Sequence, residues 1–138
     1  DTLLFFFGVI MCVGGLGFIG YLAGLSEYMY LQLGPTAANT IVGVLSAFVD
    51  NIPVMVAVLQ MNPDMDVAQW MLVTLTAGVG GSMLSIGSAA GVALMGQARG
   101  VYTFFGHLRW APVIILGYAA SIAVHLAVNS HFIGVAIR

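Results

Sequence analysis

The chain has 138 residues, of which 61% are hydrophobic and only 6% charged: five Asp and Glu, three Arg and no Lys, for a net charge of -2. Its mean hydropathy is +1.07, whereas a soluble domain carries roughly a quarter charged residues. A water-soluble fold is therefore excluded, and lipid must cover most of the outer surface. The small net charge argues against nucleic acid or an acidic partner, and the lone Cys12 excludes an internal disulfide. No basic stretch leads into an apolar one at the start, so no signal peptide is expected. The chain reads as a piece of a longer protein.

Taken in order, the first apolar block carries no charge over residues 2–26, enough for one helix across a ~30 Å hydrocarbon core. A transmembrane helix is expected over 1–26, followed by an interfacial mixture of Glu27, Tyr28 and Tyr30. The second block opens at Gly34-Pro35, is interrupted by Asp50-Asn51-Ile52-Pro53 and closes at Asn62-Pro63-Asp64. Helical arms over 36–49 and 52–61 would be about 21 and 15 Å long, too short to cross. Two short arms meeting at a polar tip predict a re-entrant helical hairpin over 36–62, which survives at membrane depth only when buried in protein or lining a wet cavity. The third block, 67–98, would make a straight helix of about 48 Å. Its middle is rich in Gly and Ser, which weaken a helix interior, and predicts two half-helices joined by an unwound stretch. Arg99, His107 and Arg109 bracket a short connection, and residues 110–132 predict a second full crossing with Pro112 in its first turn. The two arginines place that connection in the cytoplasm. Traced backward, the hairpin enters from outside.

The expected fold is thus an all-α membrane protein in a single membrane domain over 1–138, with two full transmembrane helices, a re-entrant hairpin and a broken transmembrane helix. Asp50 is the leading candidate for chemistry. It is the only charged residue between Glu27 and Asp64, placed where two short arms meet, and a charge at that depth usually marks an ion path. A carboxylate takes either a bare cation or a proton. Removal from water favours its neutral form, and a bound cation favours its charged one. The bland alternative is that Asp50 or Asn51 only caps the second arm. Asn51, Ser82, Ser85 and Ser88 are the next candidates, because hydroxyls and unwound carbonyls form coordination shells where broken helices meet. Small residues also serve close helix packing, and Gly20-x-x-x-Gly24 and Gly87-x-x-x-Gly91 fit that use. Thr74 and Thr76 could face the same site or bond back to their own helix.

Other patterns carry no function. Gly15-Leu16-Gly17-Phe18-Ile19-Gly20 matches a dinucleotide fingerprint but lies inside a membrane span with no preceding strand. His125 and His131 are too far apart in register for a metal pair. His107 is expected to be a solvated loop histidine, and Trp70 and Trp110 interface anchors. No nucleophile–base pair or metal set points to an enzyme.

Three stretches carry a resemblance: Ser46-Ala47-Phe48-Val49-Asp50-Asn51-Ile52-Pro53, Gly80-Gly81-Ser82-x-x-Ser85-Ile86-Gly87-Ser88-Ala89-Ala90-Gly91, and Gly106-His107-Leu108-Arg109-Trp110-Ala111-Pro112. With the opening Asp1-Thr2-Leu3-Leu4-Phe5-Phe6, they closely resemble the NhaD-type sodium/proton antiporters of bacteria. That family belongs to the ion transporter superfamily, built from two inverted repeats, each with a re-entrant hairpin and a broken helix. The resemblance implies that the chain is most of the second repeat, in a multi-pass protein of the bacterial inner membrane. It implies exchange of sodium, or lithium, for protons, with Asp50 as the sodium ligand and no cofactor beyond the transported ions. The implied partners are membrane lipid and the missing N-terminal repeat, with a homodimer left open. Rival readings are an anion transporter of the same fold, for a dicarboxylate or arsenite, and a membrane module that transports nothing.

Overall fold

The computed structural model describes residues 2–135. Asp1, expected at the head of the first helix, and residues 136–138, the tail of the expected domain, lie outside the described residues. The described chain is helical, with no strand among the described residues.

The first block, expected as one transmembrane helix over 1–26, is broken in two. It forms α1 (Thr2–Phe18) and α2 (Tyr21–Ser26), the latter continued by a π-helical segment, Glu27–Gln32. Between Ile10–Phe18 and Tyr21–Gln32 the axis bends by 82°. Gly20 sits at the bend with φ 83° and ψ 1°, a left-handed conformation open to glycine and strained for most other residues. The packing role expected of Gly20 and Gly24 is not seen, since nothing lies within 4 Å of where a Cβ would stand at either position.

Most of the remaining helices start at a capping side chain or at a proline. α3 (Pro35–Leu45) opens on Pro35, whose fixed φ and missing N–H suit a first turn. α4 (Asn51–Met61) is capped by Asp50, and α5 (Val67–Gly80) by Asp66, which accepts from the Gln69 N–H at 2.8 Å. Residues 81–88 form turns before α6 (Ala89–Gln97). Thr103 caps the short α7 (Phe104–Leu108), and α8 (Ala111–Val128) precedes a single 3-10 turn, Ser130–Phe132. Among the described residues, α8 alone is long and apolar enough to cross a membrane unaided, while the bent pair at the start passes only when taken together.

α3 lies against α5, α4 against α1, α2 and α5, and α8 against α5. One apolar cluster joins Met29, Tyr30, Ala38, Val42, Val58, Met65 and Val73, with Trp70 packed on it. Trp70 is therefore a core-facing side chain rather than a free interface anchor, whereas Trp110 is exposed. A second cluster joins Ala47, Met83 and Tyr118. It pins the end of α3 and the 81–88 stretch to α8.

Polar groups bind α3 to α5. Asn39, fully buried, accepts from Tyr30 Oη and donates to the Gln69 carbonyl and side chain at 3.0 and 3.1 Å. Gln69 Nε2 donates to Thr36 Oγ1 at 2.8 Å, and Thr76 Oγ1 to the Asn39 carbonyl at 2.9 Å. Thr76 is thus spent inside this seam, and Thr74 bonds back to the Trp70 carbonyl, so neither reaches the tip. The two backbones nearly touch where Gly43 meets Gly80. A side chain at Gly80 would collide with the Gly43 carbonyl and Ser46 Oγ, which is how small residues allow close helix approach in lipid.

Candidate functional site

Two non-helical stretches, 46–50 and 81–88, come together at the ends of α3 and α5. Gly87 lies on the carbonyls of Ser46 and Ala47, and a Cβ on Gly81 would stand 3.3 Å from that of Asn51. Ser46 joins them from within. It is fully buried, and its Oγ reaches both the Gly43 carbonyl at 2.8 Å and the Ala77 carbonyl at 2.9 Å.

Asp50 stands at this junction, half-buried, at the first position before α4. The one hydrogen bond to its carboxylate among the described residues is a long one, 3.4 Å, from the Ile52 N–H to Oδ1. Bonds of that length are weak, so most of the carboxylate's acceptor capacity is uncommitted. Capping and ion binding are therefore compatible at this residue. Asn51, the first residue of α4, is half-buried beside it.

The three candidate serines face a different volume. Ser82, Ser85 and Ser88 line a cavity of about 260 Å³ together with Tyr102 and His107, and Asp50 is not in its wall. They also differ in commitment. Ser82 is exposed, and its hydroxyl donates to the Val79 carbonyl at 2.6 Å. Ser85 is 2% exposed and meets only the Met95 sulfur, at 3.5 Å, a weak acceptor. Ser88 precedes α6 without a side-chain cap bond. All three therefore keep oxygen lone pairs available, since Ser82 and Ser85 engage only their hydrogens.

A family model described as Citrate transporter matches residues 1–78. The chain belongs to the citrate transporter family. Among its relatives, a protein of Alkalimonas amylolytica named Na(+)/H(+) antiporter NhaD is 69% identical over 130 residues, covering 94% of this chain and 27% of that protein. The protein of the same name from Vibrio cholerae is 65% identical over 129 residues, with 94% and 27% covered. Sodium/proton antiporter 1 of Arabidopsis thaliana is 39% identical over 136 residues, covering 94% and 23%. The NhaD-type resemblance drawn from the motifs thus extends over nearly the whole chain. The chain itself spans about a quarter of the length of these curated relatives. No solved structure matches it.

In this member of the citrate transporter family, two histidines escape a reading of the sequence, one of them beside the serines. His107 is not the solvated loop residue expected. It is half-buried, with Nε2 2.9 Å from the Ser82 carbonyl and Nδ1 2.7 Å from Tyr102 Oη. A carbonyl only accepts, so Nε2 carries the proton, and in the neutral ring Nδ1 accepts from the tyrosine. The histidine thereby ties the α6–α8 connection to the unwound stretch 25 residues away in sequence. His125 shows the same logic, bridging the Ala68 carbonyl and Asn129. Neither carbonyl contact follows from spacing, because the acceptors are backbone groups 25 and 57 residues away.

Proposed function

We propose that the whole protein exchanges sodium, or lithium, for protons across the bacterial inner membrane, with Asp50 holding the cation and the proton in turn. The observation that carries this reading is a carboxylate with almost no internal partner, placed where two helix ends and an unwound stretch converge. A charge in such surroundings is costly to keep for structure alone. The names of the NhaD relatives support the same exchange.

In this reading α3 and α4 are the arms of the re-entrant hairpin, and α5 and α6 the halves of the broken crossing. Asn51, Ser85 and Ser88 add oxygens as the site closes around the cation. Ser82 adds its oxygen as well, whose lone pairs stay free while its hydrogen is donated to the Val79 carbonyl. The chain supplies one repeat of a multi-pass protein, and the partner repeat supplies the rest of the coordination shell. A homodimer belongs to the same reading.

The test uses the whole protein in sealed vesicles. Asp50→Asn should abolish sodium-driven proton movement, and Asp50→Glu should keep a reduced rate. An Asn variant that folds and still moves protons at the parental rate overturns the assignment. A second reading is anion transport, favoured by the citrate transporter description of the family model. Citrate uptake by the same vesicles, insensitive to Asp50→Asn, would establish it.

A further inference from the structure

We propose that the α6–α8 connection holds the phosphate of an anionic phospholipid, with Arg109 as its counter-charge. The connection folds around a pocket of about 470 Å³ lined by Tyr102, Thr103, Gly106, His107, Arg109 and Trp110. Arg109 is the one permanent cation in that wall. His107 has both ring nitrogens engaged by Ser82 and Tyr102, and the Thr103 hydroxyl accepts from the Gly106 N–H at 3.1 Å. No acid lines that wall beside the guanidinium, and residues 67–138 contain no Asp or Glu.

The rim matches a lipid rather than a free ion. Val101 and Trp110 in the pocket wall are 90% and 66% exposed, Phe105 in the same short connection is 76% exposed, and apolar and Trp side chains of this kind settle at the level of headgroups and upper acyl chains. On the cytoplasmic side expected from its arginines, such a pocket meets the anionic leaflet. The guanidinium fork suits phosphate oxygens, which accept two parallel N–H bonds. A bound lipid would also press on the wall that this pocket shares, through Tyr102 and His107, with the serine cavity.

The experiment purifies the whole protein in mild detergent and counts retained phosphatidylglycerol by native mass spectrometry. Arg109→Gln should lower retention about fivefold, the worth of one basic residue at an anionic surface, and Arg109→Lys should keep most of it. Arg99→Gln changes net charge equally but lies outside the pocket wall, so it should leave retention unchanged. Equal losses in Arg99→Gln and Arg109→Gln would mean diffuse attraction and overturn the pocket, as would no loss in either. Inorganic phosphate should not displace the lipid at concentrations where a short-chain phosphatidylglycerol does. Displacement by both alike would overturn the lipid assignment. Each variant is first required to elute as the parent does, and the readout does not depend on transport.

Discussion

The α3–α5 seam and the junction beyond it are both built from small and polar residues, yet they dispose of them in opposite ways. In the seam, Thr36, Asn39, Gln69 and Thr76 satisfy one another or nearby carbonyls, and the side chains of Asn39 and Thr76 are sealed from solvent. At the junction, Asp50 makes one long bond, Ser85 faces a sulfur and Ser88 makes no cap bond. The difference teaches what a polar group in lipid is for. Apolar burial drives helices together only weakly where the surrounding solvent is itself apolar, so hydrogen bonds and close backbone contact must hold the seam. A polar group left unfinished in such surroundings is kept for another partner.

The comparison breaks most visibly at the crossing point. Gly80→Val should prevent a stable fold, because its side chain must occupy the space of the Gly43 carbonyl and neither backbone can retreat without opening the seam. The measurement is the yield of monodisperse protein. Normal yield would mean that the two helices are not held at that distance. Next in size, Asn39→Ala strands Tyr30 Oη and one side of Gln69, a loss of about 2 kcal/mol. It should lower the melting temperature and transport together. Asp50→Asn should instead leave melting unchanged while transport fails. If the two variants behave alike, seam and junction are not distinct.

How far these roles are legible in the sequence depends on the range over which each is determined. Caps and breaks are local: Pro35, Asp66 and the glycines and serines of 81–88 mark helix ends where they are observed. Asp50 is legible because a single charge in an apolar run has few structural uses. The bend at Gly20 is not, because glycines in an apolar run also fit an unbroken membrane helix, and only the φ of 83° at Gly20 separates the cases. The seam is invisible for a different reason. Asn39 and Gln69 lie 30 residues apart, and neither belongs to a pattern that spacing could reveal. Likewise Ser82, Ser85 and Ser88 read as one set with Asp50, yet they line a cavity that does not include it. Proximity along a turn does not fix which side of it a hydroxyl faces.

His107 gives the smallest and sharpest test of the boundary between the two regions. Its imidazole donates to the Ser82 carbonyl, so it steadies an unwound stretch that few other side-chain bonds restrain. His107→Ala should therefore cost little global stability, about 1 kcal/mol for its two partly exposed bonds to Ser82 and Tyr102. Exchange of the backbone amides over 82–86 should nevertheless quicken several-fold, because local opening there no longer breaks that bond. His107→Gln, whose side-chain amide can donate to the same carbonyl, should restore most of the protection. The seam amides of α3 and α5 should not change in either variant. Were they to quicken along with 82–86, the junction would open only as part of the whole bundle, and its unfinished polar groups could not rearrange independently of the seam.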